Sequence, residues 1–221
     1  MFNNLAVTMI FVLERCYYLS SELLEKILSR CSIRFFREDP VPREILEKII
    51  EAGISAPTAS VGEQWFFKVV VSPERRRKLH ELLVEAHLRY GREVLRKALP
   101  ESSLEKWRNR MVKEGMYYAP AYIAAYVDLR EKFLREEYRE LEYLWAVQSI
   151  SAAVENVMLA AWSMGLGSVW LGVPLLMKEE FNEVIGVESE DMDLAAIIAL
   201  GYPSVEPVKR KRKKTLSQVS S

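Results

Sequence analysis

The stretch from Leu141 to Met164 constrains the fold of this chain more than any other segment. Its apolar residues follow helical spacing but cover more than one stripe of the helix: Leu144, Val147, Ile150, Ala153, Val154, Val157, Met158 and Ala161. A helix that is hydrophobic on nearly all sides must be buried on nearly all sides. We therefore expect a central helix with one face on a sheet. Either the chain's own elements or a second copy in a symmetric homodimer then covers the opposite face.

Shorter segments around this helix predict a mixture of helices and strands. The chain has 221 residues and half of them are hydrophobic, so it can form one domain with a substantial core. Apolar spacing and capping residues predict helices at 20–30, 42–55, 73–99 and 103–115, the second with a buried stripe of Leu46, Ile49, Ile50 and Ile54. Short apolar runs predict strands at 65–71, 121–127, 169–173 and 194–200. Because these elements mix without a strict strand–helix–strand rhythm, the predicted class is α+β, with a sheet flanked by helices.

The charges of the chain are distributed unevenly. Lys209–Lys214 contains six of the 31 Lys and Arg residues, which leaves 25 basic residues against 31 acidic ones before it. A body with a net charge of about −6 repels polyanions, so we expect no nucleic-acid partner. The hexamer itself suits a nuclear-type signal, a contact with nucleic acid or an acidic membrane, or a solvated end. The predicted division is an extension at 1–19, one domain at 20–208 and a basic tail at 209–221.

Cysteine, histidine and amide usage narrows the class of protein further. Cys16 and Cys31 match no metal or disulfide spacing, which predicts a reduced, cytoplasmic setting. His80 and His87 lie in a charged helical stretch and are predicted at the surface rather than on zinc, so no metal site is expected. The apolar run Leu5–Leu13 is shorter than the roughly 20 residues that span a bilayer in a helix, so no membrane partner is expected. Asn and Gln are scarce beside Glu, Lys and Arg, a bias typical of thermophiles.

Arg30, Ser32 and Arg34 form a polar pattern just after the first predicted helix. A spacing of two places their side chains on one side of an extended segment, while Ile33 and Phe35 face the other side. Two guanidinium groups and a hydroxyl suit a phosphate, because Arg pairs with its oxygens and Ser donates a hydrogen bond. The same three residues also suit a solvated linker after a helix.

Two segments rich in small residues follow, each at the end of a predicted helix. Ala56–Trp65 reads Ala-Pro-Thr-Ala-Ser-Val-Gly-Glu-Gln-Trp and leaves the second helix at its proline. Gly165–Gly172 reads Gly-Leu-Gly-Ser-Val-Trp-Leu-Gly, and its last glycine allows a backbone to approach a ring closely. Ala199–Pro203 closes the last predicted strand. Taken in order and spacing with residues 30–35, these segments resemble the nitroreductase family of FMN-dependent oxidoreductases, and the resemblance covers roughly Ser20 to Val219.

The resemblance implies which residues bind FMN near the start and in the middle of the chain. Arg30, Ser32 and Arg34 match positions that hold the phosphate and ribityl chain, and the backbone at Leu171 and Gly172 matches positions beside the flavin N5. The 56–65 segment is similar to the family's Ala-Pro-Ser-x-x-Asn-x-Gln-Pro-Trp. Pro57 and Thr58 of this chain match that family segment. The polar positions of the family segment hold other residues in this chain, so Glu63 and Gln64 are both candidates for contacting the edge of the flavin ring.

The basic tail supplies the last candidates for the cofactor site. In the family, a basic residue shortly before a Pro-Leu pair reaches the FMN phosphate. Thr215-Leu216 stands at that place in this chain, which makes Lys211 and Lys213 the best matches and Arg212 the near alternative.

The resemblance also implies an architecture and an activity. The expected fold has a central mixed sheet, with the long helix at a homodimer interface where FMN binds. The expected enzyme takes hydride from NAD(P)H and reduces a second small molecule, such as a nitroaromatic or a quinone, in a ping-pong cycle. No side chain is predicted to be catalytic, because the flavin N5 carries the hydride. A non-catalytic FMN-binding or redox-sensing protein is the alternative.

Overall fold

The computed structural model describes residues 22–209 and 211–220, which fall into two compact units. The first unit combines the terminal segments, Met1–Cys31 and Val208–Ser221. Its described part contains helix α1 at 22–29, where the Lys209 ammonium group donates a hydrogen bond to the carbonyl oxygen of Leu28. The predicted extension at 1–19 lies outside the described residues. The second unit, Ser32–Pro207, contains the sheet and all the other strands and helices named below.

The sheet of the second unit has four strands in the order β1-β2-β4-β3. All three neighbouring pairs are antiparallel, whereas the family resemblance implied a mixed sheet. Outside these strands, an isolated parallel bridge joins Ser32 and Ser168. Because β4 lies between them and is antiparallel to both, the second and third strands, β2 and β3, run in the same direction without pairing. The strands are β1 Trp65–Val70, β2 Ala121–Asp128, β3 Gly167–Leu171 and β4 Met192–Gly201.

Helices cover both faces of this sheet, so the predicted α+β class is confirmed. On one face, α2 and α5 pack with the inner residues of the sheet into one buried cluster. On the other face, α3 and α6 form a second cluster with the remaining strand residues. The helix bounds are α2 Arg43–Ile54, α3 Pro73–Arg89, α4 Glu101–Val112, α5 Arg139–Ser163 and α6 Lys178–Ile185.

Several predicted boundaries differ from the structure. Helix α3 ends at Arg89 and continues as a π-helical segment, Tyr90–Val94, rather than running to residue 99. Gly91 lies in that segment, and glycine is a weak helix former that leaves room here for Leu104, whose Cδ2 would lie 2.5 Å from an added Cβ. Helix α4 begins at Glu101, directly after Pro100, rather than at the predicted residue 103, and no side chain caps its start. In α2, the predicted buried residue Ile54 is instead 49% exposed.

Strand β3 begins and ends two residues earlier than predicted, and helix α6 was not predicted. Val173–Leu176 forms a 3₁₀ turn that contains Pro174 in its first positions, where a fixed φ and a missing N–H suit a helical turn better than a strand. The chain then enters α6, which buries Phe181 and Ile185 against the sheet.

Helix α5 is the central helix that the sequence predicted, but part of its surface is open within this chain. Its inward residues are fully buried, among them Ala153, Val154 and Val157. Leu144, however, is 52% exposed. Among the described residues, Glu136–Ser163 is the one helical stretch long and apolar enough to cross a membrane, and 44% of its 18-residue apolar window is buried inside the protein. That a second copy of the chain covers this open face of α5 stays a prediction.

Candidate functional site

Two of the predicted cofactor segments lie at opposite edges of the sheet. Residues 57–64 immediately precede β1, and Gly172 immediately follows β3. The strand register places Trp65 beside Val127 and Leu171 beside Ile197. Three strand spacings, about 14 Å, separate β1 from β3 across the sheet, and the register adds an offset of four residues, about 13 Å, along the strands. We call these two places the β1 edge (residues 57–64) and the β3 edge (residues 167–172 with Ser32).

The β1 edge contains a cluster of strained backbone. Ser60, Val61 and Glu63 have φ of 49°, 56° and 45°, and only four non-glycine residues in the described chain have positive φ. Side chains with a Cβ rarely adopt this left-handed conformation, and a β-branched valine adopts it least readily. Strain of this kind persists only where surrounding contacts hold the backbone in place, and it is common at ligand sites.

Side-chain hydrogen bonds hold the start of this turn. The Thr58 hydroxyl oxygen accepts the backbone N–H of Glu63 at 2.9 Å and so closes the loop on itself. The Ser149 hydroxyl oxygen, on helix α5, accepts the N–H of Ala59 at 3.2 Å. That hydroxyl in turn donates to the carbonyl oxygen of Trp145 at 2.8 Å. The loop is therefore attached to the central helix through a buried serine.

The end of the turn is held by a buried carboxylate that the sequence did not predict. Gln64 is only 4% exposed, and its Nε2 donates to Glu142 Oε1 at 2.8 Å and to the carbonyl oxygen of Glu131 at 3.1 Å. Glu142 is 1% exposed and also accepts the backbone N–H groups of Phe133 and Leu134. The two loop candidates thus differ: the Glu63 side chain is exposed, whereas the Gln64 amide nitrogen is occupied by this network.

An open cavity of about 450 Å³ borders the β1 edge. Its walls combine the end of the loop with the end of β2 and the residues that follow it: Gly62, Glu63, Gln64, Asp128, Arg130 and Glu131. The Arg130 guanidinium donates two hydrogen bonds to the Asp128 carboxylate, at 2.8 and 2.6 Å, and these bonds hold the pKa of Asp128 below its usual range. The cavity is therefore lined mainly by carboxylates, with one guanidinium already paired.

The β3 edge has a regular backbone and an open surface. Gly172 has an ordinary φ of −95°, and an added Cβ would have no atom of the described chain within 4 Å. Neither conformation nor packing within the described chain therefore requires glycine at this position. Leu171 directs its side chain into the core and is 4% exposed. A ligand that approaches the backbone at Gly172 would meet no side chain there.

Ser32 and Arg34 run beside the outer edge of β3. The N–H of Ile33 donates to the carbonyl oxygen of Ser168 at 3.0 Å, and Ile33 is buried against Gly167. Ser32 and Arg34 are half-buried, and Arg34 Nη1 donates to the carbonyl oxygen of Ser32 at 3.1 Å. The remaining predicted phosphate ligands belong to the first unit: half-buried Arg30 and the exposed Lys211, Arg212 and Lys213.

A second polar cluster, which the sequence did not predict, lies near the start of β4. Asp193, near the start of β4, accepts a hydrogen bond from the Lys178 ammonium group at the first residue of α6. It also accepts the Tyr143 hydroxyl at 2.5 Å, and this bond raises the pKa of Tyr143 to about 12. Only the strand register and the helix starts bring these three residues together, since 50 residues separate Tyr143 from Asp193 in the chain.

The prediction that His80 and His87 lie at the surface is wrong, because both side chains are half-buried. His87 stacks on Tyr117 with ring centroids 4.8 Å apart, and His80 Nε2 lies 3.1 Å from the carbonyl oxygen of Met116. Burial lowers the pKa of both rings. Among the described residues, no three His, Cys, Asp or Glu side chains are grouped closely enough to hold a metal ion.

Comparison with known proteins agrees with this fold. Residues 27–202 match the nitroreductase family, so the chain belongs to that family. A protein of Methanothermobacter thermautotrophicus that is named as an NADH dehydrogenase/NAD(P)H nitroreductase is 32% identical over 187 residues, 84% of this chain and 80% of its own length. Iodotyrosine deiodinase 1 of Rattus norvegicus is 29% identical over 90% of this chain and 69% of its own length. The structure of a nitroreductase with bound FMN from Bacteroides fragilis has a TM-score of 0.66 and 22% identity, and the match covers 90% of this chain and 98% of that one.

Proposed function

We propose that this chain is an FMN-dependent oxidoreductase that uses NAD(P)H to reduce a second small molecule. The observation that carries the proposal is Gly172, which faces open space at the end of β3 although neither its φ nor its packing requires glycine. A flat ring held against the backbone explains why a side chain is missing there. When bound, FMN would supply N5 as the hydride acceptor from NAD(P)H and would then pass electrons to the second substrate in a ping-pong cycle.

The residues of the chain would bind and orient this cofactor. Arg30, Ser32 and Arg34 supply cations and a hydroxyl for the phosphate, together with Lys211 or Lys213 of the tail or the neighbouring Arg212. Leu171 and Gly172 would present their backbone to the ring. Pro57 and Thr58 shape the loop. We assign the ring-edge contact in that loop to Glu63 rather than to Gln64, because Gln64 already donates its amide hydrogens to Glu142 and Glu131.

We further propose that the complete site forms between two copies in a homodimer. The β1 edge and the β3 edge are separated by about 14 Å across a buried sheet and by about 13 Å along its strands, so one ring does not readily contact both within a single chain. A two-fold axis beside the open face of α5 would bring the β1 edge of one copy to the β3 edge of the other. This arrangement would also cover the exposed side of Leu144.

Absorption spectroscopy of the purified protein tests the cofactor and the activity in one experiment. We expect a yellow protein that bleaches when NAD(P)H is added without oxygen and regains colour with a quinone or nitroaromatic. A protein that binds FMN but does not bleach would be the passive binder or redox sensor instead. A colourless protein that FMN cannot reconstitute would exclude both functions.

Mixing of two variants tests the shared site. Thr58→Ala changes the β1 edge, and Gly172→Ala changes the β3 edge. If each site uses one edge from each copy, heterodimers of the two variants contain one intact site and one doubly altered site. We expect refolded mixtures to bind FMN that neither parent retains, and light scattering to give twice 25.6 kDa. A monomer that retains FMN and turns over NAD(P)H would contradict the dimer.

A further inference from the structure

A single buried carboxylate connects the two segments that flank the strained turn at the β1 edge. Glu142 lies in the first turns of α5 and is 1% exposed. It accepts hydrogen bonds from Gln64 Nε2 at 2.8 Å, from the Phe133 N–H at 2.9 Å and from the Leu134 N–H at 3.4 Å. All three partners are donors, which suits a carboxylate that can only accept.

The bonds of Glu142 act on the turn from both sides. Gln64 directly follows the strained residue Glu63, and its position fixes where the turn enters β1. Phe133 reaches the turn from outside: a Cβ on Gly62 would lie 2.5 Å from the Phe133 ring carbon Cε1. Glu142 therefore determines both the exit of the turn and the ring that packs on its middle.

Burial of a charge is costly unless its hydrogen bonds are made, so a buried carboxylate needs an explanation. The position near the N-terminus of α5 favours a negative charge, and no buried side-chain nitrogen or oxygen in the described chain lacks a hydrogen-bond partner. An apolar residue of similar volume would fill the same space without this cost. It would not, however, hold two loops in register, which requires directional bonds.

We propose that Glu142 is a positioning residue that holds the turn at residues 60–63 in the conformation that contacts FMN. The proposal rests on the FMN-dependent function proposed above. Through Gln64 and Glu131, the same carboxylate also sets two walls of the 450 Å³ cavity beside the turn. Glu142 itself is buried and acts only through the residues that it binds.

Glu142→Gln tests this role, with Glu140→Gln as the matched control. Both residues lie in the first turns of α5, but Glu140 is exposed. The Gln side chain keeps the shape and replaces one acceptor by a donor. That donor opposes both Gln64 Nε2 and the Phe133 N–H if it takes the place of Oε1, or the Leu134 N–H if it takes the place of Oε2. We expect amide hydrogen exchange in 59–64 and 133–134 to accelerate about tenfold or more, with exchange in α3 and α6 unchanged. We expect the FMN dissociation constant to rise roughly tenfold and the spectrum of bound FMN to shift.

The outcomes separate this proposal from the proposed function. Faster exchange in the turn with an unchanged FMN affinity and spectrum would overturn the positioning role. So would faster exchange throughout the second unit, which would make Glu142 a general structural residue, or no difference from Glu140→Gln. If wild-type protein binds no FMN, the proposed function fails, and the positioning role toward FMN fails with it, whereas the exchange experiment still reports whether Glu142 holds the turn.

Gln64→Met keeps the test decisive if Glu142→Gln does not fold. This change removes the amide donor with little change in shape and leaves the carboxylate with two backbone donors. We expect faster exchange in 59–64 and a several-fold weaker FMN affinity. If both variants fold, the double variant should lose less than the product of the two single effects, because both remove the same bond. An unchanged turn in Gln64→Met, or effects that simply multiply, would refute the connection.

Discussion

The two edges of the sheet present the predicted cofactor segments in opposite ways. At the β1 edge, three of the four residues 60–63 have a strained positive φ, and the turn is held by hydrogen bonds that its residues donate to Thr58, Ser149 and Glu142. At the β3 edge, the backbone is ordinary and the notable feature is a glycine that faces open space. One edge is thus defined by contacts that hold an unfavourable conformation, and the other by the absence of a side chain.

This difference predicts how the two edges respond to substitution. At the β3 edge, a change at Gly172 should affect ligand binding without affecting folding, because Gly172 contacts nothing that the fold needs, whereas Gly167 packs against Ile33. A change at the β1 edge should affect both, because the conformation of the loop and its hydrogen bonds to α5 depend on each other. The four substitutions below test this contrast in order of decreasing effect.

Gly172→Ala should have the largest effect, and the effect should be on FMN binding alone. The added methyl group would occupy the space assigned to the ring, and we expect FMN affinity to fall about a hundredfold, or about 3 kcal/mol. The free energy of unfolding of the apoprotein should change by less than about 0.5 kcal/mol. Fluorescence titration with FMN and urea unfolding measure the two quantities. Undiminished FMN binding would remove the observation on which the proposed function depends.

Gly167→Ala, five residues earlier, should destabilise the fold. The added Cβ would lie 2.5 Å from Cγ1 of Ile33 and 2.6 Å from its Cβ, which are too close for real atoms. Overpacking of this kind costs about 2 kcal/mol of unfolding free energy. Urea unfolding of the apoprotein should show the loss. Equal stability of Gly167→Ala and Gly172→Ala would mean that the two glycines do not differ in how closely the fold packs around them.

Ser149→Ala should loosen the β1 edge by about 1 kcal/mol, because the N–H of Ala59 loses its acceptor. Ser151→Ala is the matched control, since the Ser151 hydroxyl bonds only the carbonyl oxygen of Val147 in its own helix. Hydrogen exchange of the Ala59 amide and thermal unfolding of both variants give the comparison. A Ser151 variant as unstable as the Ser149 variant would show that the loop attachment contributes nothing.

Val61→Gly should have the smallest effect and should be stabilising. Glycine adopts a φ of 56° without the penalty that valine carries, but it loses more entropy on folding, so we expect a net gain of about 0.5 kcal/mol. Val61→Ala keeps a Cβ and should gain less. Thermal unfolding of the apoprotein measures both. A destabilised glycine variant would mean that Val61, although 82% exposed, makes contacts that outweigh its strain.

Prediction from the sequence succeeded where a local pattern carries the information. The spacing of apolar residues predicted the long helix, and a short apolar run predicted the strand at residues 65–70. The order and spacing of the matching segments indicated the family. Prediction failed where the deciding contact is distant in sequence. The end of α3 depends on Gly91 against Leu104, and the half-buried positions of the histidines depend on Tyr117 and Met116.

The sequence by itself determined the elements of this protein, its family and the segments from which a cofactor site would be built. Only the tertiary structure decided how those segments relate. It placed residues 57–64 and 171–172 at opposite edges of one sheet, committed Gln64 to a buried network and left Glu63 exposed. The physical reason is that a hydrogen bond such as that from Gln64 to Glu142 joins residues 78 positions apart. Neither residue carries a local signal of its partner, because polar side chains find their partners only after packing has brought them together.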